Sequence, residues 1–192
     1  MVATHGFDVT GSTKVLPGNG PDDDPHHARA IARQAVEFLA ADRSRPFFCY
    51  LPLYSVHVPL RSPPGLVAEQ VRRAAAVTPS GPRDIAEGDR TARAYQDHAV
   101  YAAMIEEMDA AVATVLAGLE EHHAAADTLV IFSSDNGGLS TAEGMPTSNL
   151  PLRAGKGYLY EGGIRVPLLV RLPGIVPPGT SCDVPVTTLD LA

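Results

Sequence analysis

Four side chains stand where their type and spacing could do chemistry on a charged ester: His57, Asp135, Asn136 and Lys156. Asp135 and Asn136 come just after the apolar run Leu129-Val130-Ile131-Phe132. A carboxylate and an amide carbonyl are hard oxygen ligands suited to Ca²⁺ or Mg²⁺, and Gly137-Gly138 lets the backbone turn away behind them. The same four residues also read as a plain turn. His57 follows a second apolar run, Phe47-Phe48-Cys49-Tyr50-Leu51. Imidazole titrates near neutrality, so His57 is the natural proton donor if it faces a cleft; its alternative is a structural loop histidine. Lys156 sits between Gly155 and Gly157, which leave an anion free to approach the ammonium; its alternative is a solvated surface lysine. The Gly-Lys-Gly is not a phosphate-binding P-loop, because Leu150 and Gly157 stand where that loop needs Gly and Ser or Thr. Together, a hard metal, a cationic lysine and a proton-donating histidine describe a site for a multiply charged oxyanion ester.

The elements that must position these residues alternate between helix and strand. Asp24 before Pro25 reads as a helix cap with Pro at the first helical position, in preference to a metal reading of Asp22-Asp23-Asp24. Ile31, Ala35, Phe38 and Leu39 then recur at helical spacing to about residue 42. Residues 47–51 read as a buried parallel strand. A long helix is predicted from about residue 91 to 123, on the period of Tyr101, Ile105, Met108, Val112, Val115, Leu116 and Leu119. A strand over 129–133 and another over 166–172 follow it. The organisation expected is a loop over 1–24, a helix, strand and His57 loop over 25–60, and a surface excursion over 61–90. Next come a helix, strand and Asp135-Asn136 loop over 91–138, then the Lys156 loop and a further strand over 139–192. This is the grammar of an α/β sheet, in which ligands gather beyond the carboxyl ends of the strands.

Composition narrows the partners. Lys and Arg number 15 against 22 Asp and Glu, a net charge of −7, which argues against nucleic acid. A hydrophobic fraction of 45% is enough to bury a core. No apolar run is long enough to span a bilayer, and Met1-Val2-Ala3-Thr4-His5 carries no charged-then-apolar export signal. Cys49 and Cys182 are too few for a disulfide scaffold, and Cys49 reads as a small buried apolar residue. His26, His27, His98, His122 and His123 fall at helix ends or in a helix body and receive no role.

Three stretches in order strongly resemble the type I sulfatases: Pro46 to Leu60, including Phe47-Phe48-Cys49-Tyr50-Leu51-Pro52 and His57-Val58-Pro59-Leu60; Thr128 to Gly138, ending Ser134-Asp135-Asn136-Gly137-Gly138; and Leu152-Arg153-Ala154-Gly155-Lys156-Gly157 through Tyr160-Glu161-Gly162-Gly163-Ile164-Arg165-Val166-Pro167. His5-Gly6-Phe7-Asp8 agrees as well. The resemblance covers nearly the whole chain except about residues 61–90. It implies an α/β, alkaline-phosphatase-like fold with a mainly parallel sheet flanked by helices, here truncated at both ends. It further implies hydrolysis of sulfate esters, an aryl sulfate or a sulfated carbohydrate, with a Ca²⁺ ion (Mg²⁺ being possible) and a formylglycine nucleophile made from Cys or Ser in a C/S-x-P/A-x-R motif. By position Asp135 and Asn136 match two metal ligands, Lys156 the lysine that holds the sulfate, and His57 the histidine at the leaving-group oxygen. The family suggests a periplasmic or extracellular setting.

The departures are equally specific. Neither cysteine fits the formylglycine motif, and Ser80-Gly81-Pro82-Arg83-Asp84 places its arginine one position early. The family's N-terminal Asp pair and its Gly-Lys-Trp-His element are absent. The chain therefore reads as the middle of a sulfatase, inactive by itself. A phosphonate or phosphate ester hydrolase of the same superfamily and a degenerate non-catalytic binding module are the competing readings.

Overall fold

The computed structural model describes residues 18, 20–41, 46–78 and 81–191. Its centre is a pair of packed helices, α1 (Ala28–Leu39) and α3 (Ala99–Glu121). On α1 the buried stripe is Ala28, Ala32, Ala35 and Leu39, a helical repeat of small residues closed by one large one. Ala111 of α3 joins Ala28 and Ala32, and Leu119 joins Leu39 with Ala124 and Ala125. Small side chains at the seam bring the two backbones close, as ridge-into-groove packing requires. At Gly118 a Cβ would stand 2.8 Å from Val36 Cγ2. The start of α1 lies at Ala28, three residues beyond the Pro25 predicted to open it. Asp24 nevertheless caps it: its carboxylate accepts the backbone N–H groups of Arg29 (3.2 Å) and Ala30 (3.0 Å), satisfying donors that a helix start leaves orphaned.

α3 begins eight residues later than the periodicity predicts, because Arg90–Arg93 forms a strand and His98 caps the helix by accepting from the Tyr101 N–H. Its most buried positions are Ala103, Met104, Glu107, Ala111, Gly118 and Leu119, while Ile105 is 43% exposed. Of the apolar stripe read from the sequence, Leu119 is buried in the seam with Val115 and Leu116 packed against the core, while Ile105 lies outside it and alanines fill much of the rest. The Pro-, Arg- and Gly-rich stretch 61–90 holds regular structure. Helix α2 (Pro64–Ala75) packs on α3, and β1 (Asp84–Glu87) pairs antiparallel with β2 (Arg90–Arg93).

β3 (Val130–Ser133) starts where Val130 packs against the helix core, and pairs antiparallel with β4 (Leu168–Arg171). Both ladders among the described residues are thus antiparallel two-stranded sheets, and residues 47–51 run beside the core with no strand assigned. Residues 47–51 read as a buried parallel strand because the run is apolar on both faces. They are not buried as expected, since Phe48 and Tyr50 are 69% and 70% exposed, and Ile131, Leu169 and Val170 are exposed as well. A short helix, α4 (Glu161–Ile164), follows the Lys156 loop, and a 3₁₀ turn at Thr188–Leu191 comes last. Among the described residues no helix is long and apolar enough to cross a membrane.

One carboxylate lies inside this helix packing. Glu107 is 3% exposed and receives a hydrogen bond from Ser62 Oγ at 2.6 Å, while its other oxygen has no partner among the described residues. Burial raises its pKa, opposed by the Ser62 bond and the nearby Arg29 charge. A carboxyl with a raised folded-state pKa favours the fold while protonated, and that contribution disappears as pH climbs through the raised value. Glu107→Gln is therefore expected to raise the unfolding free energy at pH 7.5 by on the order of 1 kcal/mol, seen as a higher urea midpoint, with the gain shrinking toward pH 4. Equilibrium unfolding at the two pH values checks it.

Candidate active site

His57 is held on one side of its ring by its own loop. Its backbone N–H bonds the Tyr54 carbonyl at 2.9 Å, folding residues 54–58 into a turn. Nδ1 then lies 3.0 Å from the Val58 carbonyl oxygen and 3.0 Å from the Tyr54 hydroxyl, which itself donates to Val58 O at 3.2 Å. A carbonyl can only accept, so Nδ1 carries the proton and Nε2 presents a lone pair. Tyr54 is itself stacked on the buried His26, ring centroids 5.8 Å apart. Neither nitrogen of His26 has a partner within hydrogen-bond reach among the described residues. Burial lowers its pKa, partly offset by the Pro59 carbonyl nearby.

Nε2 of His57 meets Lys156 Nζ at 2.7 Å, across 99 positions of sequence. The ammonium donates and the imidazole accepts. Lys156 reaches this point because its loop packs backbone on backbone against the loop after β3. The Lys156 N–H bonds the Gly138 carbonyl at 3.1 Å, and the Gly137 N–H bonds the Gly163 carbonyl at 2.9 Å. A Cβ on Gly155 would fall 2.2 Å from Gly138 O, and one on Gly137 only 1.7 Å from Gly162 O. Neither position admits a side chain, so the glycines serve close approach as well as access. From the far side Arg153 clamps the loop to the β1–β2 hairpin: Nε and an Nη of Arg153 donate to Glu87 at 2.9 and 2.7 Å, while its guanidinium covers the Tyr160 ring at 3.8 Å. The hydrogen bond from Arg153 lowers the Glu87 pKa.

Of the four residues singled out by sequence, His57 and Lys156 are in direct contact. Asp135 and Asn136 follow the end of β3, and Gly138, three residues after Asp135, is bonded to the Lys156 backbone. The metal-type pair thus belongs to the loop on which Lys156 rests, although no hydrogen bond or ion pair joins the Asp135 or Asn136 side chain to His57 or Lys156 among the described residues. Asp135 is exposed and Asn136 half-buried. Two oxygen donors fit part of a hard-cation shell, which takes about six to eight. Among the described residues no three His, Cys, Asp or Glu side chains gather as a metal cage.

Sequence reasoning missed Tyr54, Glu87 and Asn149. Tyr54 lay within a quoted motif, three residues before His57, a spacing that a tight turn brings together. Nothing local marks Glu87 or Asn149, whose partners are distant. Asp22 pairs with Arg61 at 3.0 Å and Asp24 is spent on its cap. Cys49 is half-buried rather than fully buried, its thiol pKa raised by that burial, and Cys182 is exposed. Ser80 and the stretch His5-Gly6-Phe7-Asp8 lie outside the described residues.

A half-buried lysine and histidine are thus held together over two glycine-rich loops, with the Asp-Asn pair on one of them. The chain belongs to the sulfatase family, whose model matches residues 4–192. It is 35% identical to a sulfatase of Formosa agariphila over 91% of its length and 33% identical to the steryl-sulfatase of Mus musculus over 89%. Its structure is similar to the crystal structure of Ps i-CgsB in complex with k-i-k-neocarrahexaose, with a TM-score of 0.67 at 32% identity over 85% of the chain. The fold is accordingly that of the alkaline-phosphatase-like α/β enzymes. The chain spans 31%, 24% and 32% of these three proteins, a third or less of each.

The hydrogen-bond pattern at His57 is directly observable. Long-range ¹H–¹⁵N correlation at neutral pH is expected to show a protonated Nδ1 and an acceptor-type Nε2. Lys156→Ala should move the Nε2 resonance and leave Nδ1 in place. An Nε2-protonated ring would contradict the pairing.

Proposed function

We propose that the protein hydrolyses sulfate esters, with Lys156 binding the sulfate group and His57 serving the departing alcohol. The observation that carries this reading is the 2.7 Å contact between Lys156 Nζ and His57 Nε2. One cation and one proton-handling nitrogen share a single point, as an anionic group with a basic leaving oxygen demands. An ammonium neutralises charge on the sulfuryl oxygens. In the free pair that ammonium fills the Nε2 lone pair. Once a sulfate group draws it away, Nε2 is open to carry a proton, and the Val58 carbonyl still holds Nδ1–H and keeps the ring in place. As a nucleophile supplied from outside these residues bonds to sulfur and the S–O bond breaks, a proton that Nε2 has taken from solvent can pass to the alkoxide, so the alcohol leaves neutral.

Asp135 and Asn136 would supply two oxygen ligands of a divalent cation, Ca²⁺ or Mg²⁺, whose charge would assist the lysine at the sulfuryl oxygens. The nucleophile expected of the family, a formylglycine, matches no motif in these residues. The mainly parallel sheet of the family fold is part of the same proposal, supported by the similarity to Ps i-CgsB. Substrates are sulfate monoesters of aryl or carbohydrate alcohols, the carbohydrate class being consistent with a structural neighbour crystallised with a neocarrahexaose.

Titration of the purified protein with inorganic sulfate at constant ionic strength is expected to show saturable binding that Lys156→Ala weakens about tenfold or more. Binding that ignores Lys156→Ala overturns the assignment, and clear preference for phosphate over sulfate redirects it to phosphate esters. Ca²⁺, from the partial shell alone, is expected to bind more weakly than about 0.1 mM. Asp135→Ala should abolish that binding in calorimetry; tight binding that survives the substitution would remove Asp135 from the ligand set.

A further inference from the structure

Resting on the sulfate reading above, we propose that Asn149 is a positioning residue for Lys156, acting through Gly138 and Ala154. Its side-chain amide bridges both loops of the site. Oδ1 accepts the Gly138 N–H at 3.1 Å, and Nδ2 donates to the Gly138 carbonyl at 2.9 Å and to the Ala154 carbonyl at 2.9 Å. Both donors of the amide are used, and their orientation is determined. A flipped amide would set its oxygen against two carbonyls and its NH₂ against an N–H.

Each atom that Asn149 touches controls Lys156. The Gly138 carbonyl also accepts the Lys156 N–H at 3.1 Å, so Asn149 fixes the acceptor to which the lysine backbone is tied. Ala154, two residues before Lys156, is 5% exposed and adopts a φ of +58°, a left-handed conformation disfavoured for any residue with a Cβ. The bond from Nδ2 holds the carbonyl of that strained residue, and strain persists only where the surroundings over-determine it. The flanking glycines lie directly against the amide. A Cβ on Gly155 would stand 2.6 Å from Nδ2, and one on Gly138 would stand 2.9 Å from Oδ1. Asn149 is in turn set by its neighbours, since Gln96 Nε2 donates to Ser148 O at 2.8 Å and the Leu152 N–H bonds Asn149 O at 2.9 Å.

No other side chain meets these demands. Asp has the shape but no donors, Gln is one methylene too long, and Leu would take away the partner of the Gly138 N–H and of the Ala154 carbonyl. Asp is therefore the informative substitution. At neutral pH its carboxylate opposes two carbonyls; once protonated it regains a donor. The charged groups around position 149 are Arg93, Glu87 and Arg153, which line the same cavity, with Lys156 and its partner His57 beyond the Gly138 carbonyl. Glu87 stays ionised through the window because Arg153 lowers its pKa, and the guanidiniums keep their charge. Comparison with wild type at each pH removes whatever His57 contributes.

The test is inorganic sulfate affinity of Asn149→Asp and wild type at pH 7.5 and pH 5, with hydrogen exchange at the Lys156 and Gly138 amides. Asn149→Asp is expected to bind sulfate about tenfold or more weakly than wild type at pH 7.5 and to recover to within about threefold at pH 5. Exchange at both amides should quicken at pH 7.5 alone. If Asn149→Asp fails to fold, Asn149→Ala with and without Ala154→Gly carries the same question. Glycine relieves the left-handed strain and should restore part of the lost affinity. A variant with wild-type affinity at pH 7.5, a deficit that ignores pH, or absence of rescue by Ala154→Gly overturns the positioning role while sulfate binding by wild type stands. Absence of sulfate binding by wild type overturns the sulfate reading instead, and this proposal with it.

Discussion

Lys156 meets His57 because two stretches of main chain touch with nothing between them. The loop of residues 153–157 lies against the loop that leaves β3, close enough for the Lys156 N–H to bond the Gly138 carbonyl. With a Cβ on Gly155 only 2.2 Å from that same oxygen, any larger residue would force the loops apart. The His57–Lys156 contact lies at the end of that movement. A displacement of about 1 Å would convert a 2.7 Å hydrogen bond into one beyond effective range. Asn149 completes the junction by replacing the side-chain packing that glycines cannot supply with three directed hydrogen bonds.

The helices carry this junction to its place. β3 leaves the core where Val130 packs with Leu39 and Leu119, so the seam of α1 and α3 sets the position of the loop that follows. Alanine and glycine make that seam narrow, and dispersion over many close contacts stands in for large buried side chains. The hairpin contributes from the opposite side through Glu87 and Arg153. Surface ion pairs are ordinarily worth about 0–1 kcal/mol, but this one is bidentate and its guanidinium is also stacked on Tyr160. What it contributes is orientation: Arg153 immediately precedes the left-handed Ala154.

Polar groups buried near the helix seam share one pattern. Glu107, His26 and His27 each keep a buried side-chain atom without a partner among the described residues. Unpaired buried polar atoms are costly, and such costs are tolerated in enzymes where they serve a neighbouring site. His26 stacks on the tyrosine that supports His57, which links this polar interior to the candidate active site.

His57, Asp135, Asn136 and Lys156 could be singled out as candidates from residue type and motif, because a Gly-Lys-Gly and an Asp-Asn-Gly-Gly are local patterns, but the contact of Lys156 with His57 across 99 positions was not visible there. Also legible were α1, the body of α3 and β3, where hydrophobic period dominates. The helix and hairpin within 61–90 were not, since Pro, Arg and Gly hide the period until α3 and Arg153 supply partners. Residues 47–51 and 129–133 have the same apolar character, yet only the second pairs as a strand among the described residues. Apolar runs specify burial but not which edge accepts their hydrogen bonds. Asn149 and Glu87 became visible only in three dimensions. Their meaning lies in atoms five to 66 positions away, and a hydrogen bond over that span is decided by how the chain closes, whereas the type of each residue is decided by the sequence alone.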